Sequence, residues 1–312
     1  MPSLVSPLVA ACYKPPTVKR YMTAFLRFLL FIQLQGAASF LCFEDLDAGL
    51  AEYAHVVFAE GLPKAWAKDA IFGACMYLPA ARFHLSVAKR ALQGFGKLEP
   101  ATSFPPVLPG MVPALFTFLF VLCGLDRMAV CVFVCYAALL RASEALALRR
   151  EDWAPPGDVR LGAGVRFGVL RLRSCKTGRE QMAKVFDPST CRLLSALAGV
   201  TLPGGLLFPF GHAQFLKVFK IACTACGFPG RLVLHSLRHG GAVGAYLAGV
   251  SVDNIMLMGR WASLKSVKVY LQLGTALSTA QVLSPQALAV IGAADLNLPR
   301  LVSSFCASRE HE

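Results

Sequence analysis

Acidic residues are scarce in this chain: 18 Asp and Glu stand against 31 Lys and Arg in 312 residues, a formal charge of +13. With a pI near 9.4, the imbalance favours a polyanionic partner, nucleic acid above all, with anionic membrane as the competitor. Long apolar runs are also missing. A mean hydropathy of +0.56 is high, yet no stretch supplies the roughly 20 uninterrupted apolar residues a bilayer requires. The segment from Thr23 to Leu41 holds Arg27, Gln33 and Gln35, and that from Val112 to Leu140 is cut by Gly124, Asp126 and Arg127. No membrane span is expected. A secretory leader is not expected either, because the first basic residue, Lys14, follows rather than precedes an apolar stretch. A matched set of cysteine pairs is lacking too. The eleven cysteines are odd in number and scattered, which reads as buried thiols in a reducing compartment. Cys223-Thr224-Ala225-Cys226 has the spacing of half a zinc site, but no second Cys or His pair matches it and it falls in a helical stretch. There is no internal repeat and no low-complexity segment.

What is present is enough apolar material, 56% of residues, to fill two cores. The first hundred residues read as amphipathic helices over roughly 17–34, 46–60, 63–77 and 83–96. From Pro100 to Pro109 four prolines in ten residues block helix and favour an extended connector. A boundary is therefore placed here, giving domains 1–102 and 103–312. Beyond it come apolar helices near 111–122 and 126–139, then Leu140-Arg141-Ala142-Ser143-Glu144, with leucines recurring at helical spacing so that Arg141 opens a packed helix. From Val165 the period changes to two. The runs Val165 to Ser174 and Gln181 to Phe186 flank Lys176-Thr177-Gly178, which puts Lys176 at a hairpin tip. Helical patterns resume to about 199 and then over 211–227, 236–249, 251–258 and 263–273. A Thr/Ser-rich break at Thr275 to Thr279 precedes a last apolar helix, Ser284 to Ala293. The expected fold is mainly α with a small β-hairpin or sheet.

The ordered set Arg141, Lys176, His235-x-x-Arg238, Trp261 and Tyr270 resembles the tyrosine recombinase (phage integrase) family. Leu140 to Glu144 matches that family's Leu-Arg-x-Ser-Glu pattern, Lys176 its hairpin lysine, and Trp261 with Tyr270 its spacing of nine residues. The tryptophan is similar to the Cre and Flp branch, and Leu237 to Gly241 resembles recombinases of cryptons, eukaryotic mobile elements. The resemblance implies a helical core-binding domain before a catalytic domain. It further implies site-specific cutting and rejoining of double-stranded DNA through a 3′-phosphotyrosine, and a homotetramer assembled on the DNA.

The residue types suit that chemistry. Tyr270 would attack phosphorus, and because a phenol ordinarily titrates near 10 it must lose its proton during attack. Arg141 and Arg238 would hold the nonbridging oxygens with planar, permanently charged forks. Lys176 would protonate the leaving 5′ oxygen, and His235 would bind a phosphate oxygen or take the tyrosine proton. Trp261, a donor only, would orient or pack on the phosphate. Glu144 would pin the scaffold, with His239 as a second supporting residue. Ester exchange conserves bond energy, so no metal, ATP or other cofactor is expected. Lys14, Lys19, Arg20, Arg82, Lys89 and Arg90 are the candidate DNA contacts of the first domain, which together with the second would clamp a duplex. The last helix would dock on a neighbouring subunit or on its own domain. An intracellular location is expected, nuclear in a eukaryotic host. Two other functions stay open: a DNA-binding remnant of a mobile element that has lost activity, and a tyrosine topoisomerase that rejoins the same strand.

Overall fold

In the computed structural model, which describes residues 7–36, 40–99, 104–175, 178–271 and 273–309, the chain divides into two compact units, Met1–Ser103 and Phe104–Glu312. The first unit is helical: α1 (Pro7–Ala11), α2 (Pro15–Leu34), α3 (Phe43–Ala59), α4 (Ala65–Tyr77), a 3-10 turn at Pro79–Phe83, and α5 (Ser86–Leu98). Prolines at the first positions of α2 fit where a missing N–H costs nothing. The Asp45 carboxylate accepts from the free N–H groups of Leu41 and Cys42 at the start of α3. Asp47, buried on α3, accepts from the N–H groups of Val87 (2.9 Å) and Ala88 (2.8 Å), so one carboxylate both caps α5 and ties it to α3. Phe28, Leu46, Leu50 and Ile71 fill the core between these helices.

The second unit begins with α6 (Met111–Thr117), which runs on as a π turn at Phe118–Leu122, and α7 (Asp126–Ala137). Next come the single turn α8 (Ala142–Ala145) and a three-stranded antiparallel sheet, β1 (Trp153–Ala154), β2 (Gly168–Cys175) and β3 (Gly178–Val185), ordered β1-β2-β3. Cys175 pairs with Gly178, so β2 extends beyond Ser174 and β3 begins before Gln181, the limits their hydrophobic alternation predicts. Then follow α9 (Pro188–Gly199), α10 (His212–Ala225), α11 (Leu234–Leu247), α12 (Val252–Gly259), α13 (Leu264–Tyr270), α14 (Leu273–Gln281) and α15 (Pro285–Ala307). The Thr275 to Thr279 stretch, expected to be a break, lies within α14. The last helix is far longer than Ser284 to Ala293, and it buries Ala287, Ala294, Val302 and Phe305 in the core of its own unit. Cys223 and Cys226 are packed in that same core, where burial raises their thiols to about 12 and about 11. Among the described residues no His, Cys, Asp and Glu cluster could hold a metal, and no helix is long and apolar enough to cross a membrane.

Two apolar clusters serve the second unit. The larger runs from Val107 through α6, α7, the sheet, α9 and α10 to α15. The smaller comprises Leu139, Ala242, Ile255, Trp261 and Val267, with Tyr270 packed against it. Helix α11 joins the two, giving Leu234 and Leu237 to one and Ala242 to the other. Its glycines make that possible. A Cβ on Gly240 would strike the Val107 carbonyl, and one on Gly241 the Tyr136 carbonyl, so backbone meets backbone at van der Waals distance.

Candidate active site

Arg141 stands at the N-cap of α8 in extended conformation, not inside a long helix; α8 lasts one turn. Its backbone N–H and its Nη1 both donate to the Glu144 carboxylate, at 2.9 and 2.5 Å. About a quarter of its side chain remains exposed. Glu144 itself is buried. Burial pushes its carboxyl upward, but the Arg141 N–H and the charges of Arg260 and Arg141 outweigh this and hold it below the ordinary carboxylate range.

Arg238, on α11, is the largest fully buried side chain among the described residues. One turn of α11 separates it from His235, and it points inward because Leu234 and Leu237 beside it enter the main core. Its Nη1 donates to the Leu139 carbonyl and its Nη2 to the Gly259 carbonyl at 2.5 Å. Its Nε has no hydrogen-bond partner among the described residues. The guanidinium lies 4.6 Å from the centre of the Trp261 ring and 6.0 Å from that of Tyr270. Burial, with repulsion from Arg141 and Arg260, lowers it to about 10, which leaves it charged at neutral pH.

Tyr270 ends α13, and its hydroxyl lies 2.9 Å from Nε2 of the exposed His235. Rings surround it: Trp261 at 4.7 Å, His235 at 5.5 Å and His239 at 5.6 Å between centroids. Trp261 reaches this place by folding its indole over Gly259, whose missing Cβ would collide with the ring. His239 is buried and its Nδ1–H donates to the Phe104 carbonyl at 3.0 Å, which fixes the neutral tautomer with the proton on Nδ1. Burial lowers its pKa.

Five of the six residues singled out as catalytic, Arg141, His235, Arg238, Trp261 and Tyr270, thus converge, with Glu144 and His239 beside them. Lys176 lies outside the described residues. The root of its hairpin is anchored: Arg173 Nε on β2 donates at 2.8 Å to the buried Asp152 carboxylate, whose other oxygen accepts from the Arg149 N–H. Lys14 precedes α2, Lys19 and Arg20 lie on it, Arg82 is on the 3-10 turn, and Lys89 and Arg90 are on α5. Lys14, Lys19, Arg82 and Arg90 are exposed, whereas Arg20 pairs with Asp69 at 3.0 Å and the Lys89 ammonium donates to the Arg82 carbonyl.

Arg260 was not anticipated from the sequence. It caps α12 in the left-handed region (φ 56°, ψ 41°), and its buried Nη2 donates to Glu144 Oε2 at 2.9 Å and to the Leu139 carbonyl at 3.3 Å. Leu139 is left-handed as well (φ 49°), which is unusual for a branched apolar residue and turns its carbonyl toward both Arg238 and Arg260. Three guanidinium groups therefore share one carboxylate, an arrangement with a surplus of positive charge that an incoming anion would relieve.

This helical architecture, with its small sheet and its cluster of arginines around a tyrosine, is the tyrosine recombinase fold. Solved structures of that fold superpose on the chain: a lambda integrase dimer bound to a COC′ core site (TM-score 0.60, 14% identity, covering 85% of this chain and 74% of that one); the Tn1549 transposon integrase in complex with circular intermediate DNA (TM-score 0.55, 12% identity, 74% and 83%); and the XerH site-specific recombinase bound to its difH substrate in a pre-cleavage complex (TM-score 0.54, 15% identity, 84% and 78%). No protein-family model and no curated protein sequence matches the chain.

Proposed function

We propose that the protein is a site-specific DNA recombinase or integrase that breaks and rejoins strands through Tyr270. The observation that carries this reading is the Tyr270 hydroxyl, hydrogen-bonded to His235 and flanked by a buried, cation-rich group of arginines that share a single carboxylate. In the attack, the bond from Tyr270 Oη to phosphorus forms, the bond from phosphorus to the 5′ oxygen breaks, and the phosphate stays joined to the enzyme at its 3′ side. His235 Nε2 accepts the phenolic proton. The guanidinium groups of Arg141 and Arg238 receive the nonbridging oxygens as negative charge builds on phosphorus. Lys176 supplies the proton to the departing 5′ oxygen, and Trp261 packs beside the phosphate. A different 5′ hydroxyl then reverses the sequence.

The partner is double-stranded DNA. The exposed cations of α2, the 3-10 turn and α5 are assigned to its phosphates, and strand exchange between two duplexes calls for four protomers on the DNA. In a eukaryotic host the site of action is the nucleus.

A nicked suicide duplex that loses its short 5′ fragment tests the reading. The wild type should accumulate a covalent protein–DNA adduct, Tyr270→Phe none, and Arg238→Lys should form it about 100- to 1,000-fold more slowly. Duplex binding without any adduct on target DNA would make the chain a DNA-binding protein instead, and relaxation of supercoils without exchange would make it a topoisomerase.

A further inference from the structure

Glu144 is pulled from several sides. Its Oε1 is taken by Arg141 Nη1 at 2.5 Å, and its Oε2 by the Arg141 N–H and Arg260 Nη2, each at 2.9 Å. Arg238 Nη1 waits 3.8 Å from that same Oε2 while donating to the Leu139 carbonyl instead. If Arg260 were removed, the neighbouring guanidinium placed to satisfy Oε2 would be Arg238. A carboxylate so deeply buried draws a close cation strongly, since little water screens the pair.

We infer that Arg260 is a positioning residue: it fills Glu144 Oε2, so that Arg238, held by the Leu139 and Gly259 carbonyls, keeps its charge for the phosphate rather than closing from 3.8 Å onto the carboxylate. Its second contribution is to the chain path. Nη1 of Arg260 donates to the Met258 carbonyl at 3.2 Å, fastening the left-handed turn that follows α12 and delivers Trp261 onto Arg238. This inference rests on the phosphate-binding role proposed for Arg141 and Arg238, and it assigns Arg260 no contact with DNA.

The left-handed backbone makes a clean test possible. Arg260→Gly removes the side chain at a φ that glycine adopts without strain, Arg260→Met keeps apolar bulk, and Arg260→Lys keeps a cation within reach of Glu144. Each variant, with Glu144→Gln and the combination Arg260→Met/Glu144→Gln, is titrated with inorganic phosphate followed by 31P line broadening. Each is also assayed for duplex affinity and for the rate of adduct formation on the suicide duplex. Arg260→Met and Arg260→Gly should weaken phosphate binding and slow adduct formation roughly tenfold or more, with duplex affinity nearly unchanged because it is spread over many phosphates. Glu144→Gln should restore much of the loss in the combined variant, since the amide no longer captures Arg238, and Arg260→Lys should retain most of the activity. A purely structural Arg260 would give no such rescue and would lower affinity and rate together.

Phosphate binding and adduct rate unchanged in Arg260→Met and Arg260→Gly, or losses in the combined variant equal to the product of the single losses, would overturn the inference. If the wild type binds phosphate in an Arg260-dependent way but never forms a Tyr270 adduct, the strand-transfer reading fails while the positioning role stands.

Discussion

Arg141 and Arg238 are rooted in the large core of the second unit, whereas Tyr270 rests on a far smaller one. Leu140, Ala142 and Ala145 around Arg141, and Leu234 and Leu237 beside Arg238, all belong to the extended cluster that includes α6, α7 and α15. Tyr270 caps a seven-residue helix whose buried support is Val267, Ile255, Trp261, Ala242 and Leu139. The groups assigned to hold a phosphate are thus fixed by many contacts, and the nucleophile by few. Stability should differ accordingly, because segments with little buried apolar contact open locally well below the free energy of global unfolding. For the esterification and release proposed for this site, a rigid anion cradle facing a more readily displaced hydroxyl is a workable division of labour.

The sharpest way to break the contrast is Gly241→Ala. The added methyl meets the Tyr136 carbonyl, backbone that cannot rotate aside, so α11 must shift from α7 and Arg238 with it. A loss of about 1–3 kcal/mol or more in global stability is expected from the denaturant midpoint, together with loss of phosphate binding. Val267→Ala acts on the other side. Removing two buried methyl groups from the small cluster should cost roughly 1–2 kcal/mol, seen as faster amide exchange confined to α12 and α13 with the exchange of α7 and α9 unchanged. Uniform acceleration through the unit would show that the two clusters are one cooperative body. The smallest effect concerns pH. His239 is held neutral by burial, with a pKa below the ordinary value, so the unfolded chain takes up its proton first as pH falls. Stability linked to this ring is therefore complete above about pH 6.5 and declines below it, and His239→Gln should flatten that slope in a denaturation series from about pH 8 to about pH 5.5.

Much of this arrangement was legible in the sequence because the relevant spacings are local. His235 and Arg238 lie one helical turn apart, Trp261 and Tyr270 are separated by a turn and a short helix, and Arg141 with Glu144 spans a single capping turn. The helical bundle, the hairpin and the helices around them could be read from apolar periodicity in the same way. What escaped reading depends on backbone sign and on distant convergence. Nothing in residues 138–141 marks Leu139 as left-handed, and an arginine after a glycine looks like an ordinary surface C-cap until Glu144, more than a hundred residues earlier, is seen to meet it. Strand β1 is only two residues long and gains its identity from pairing with Leu170 and Val169. Helix α14 was hidden by its threonines and serines, residues of modest helix propensity, and it buries Ala276 and Thr279. The last helix likewise runs past Ala293, continuing through Pro299 to Ala307.

The Leu139 carbonyl has one more consequence. It is main chain, common to every amino acid, yet two arginines from separate helices are oriented by it. A systematic side-chain scan would pass over position 139 as a simple hydrophobic contact, and a library seeking altered activity would find few rewards there. Changing how firmly the arginines are aimed calls for editing the bend itself: glycine at 139 would relax the unfavourable dihedral, and proline at 140 would forbid it.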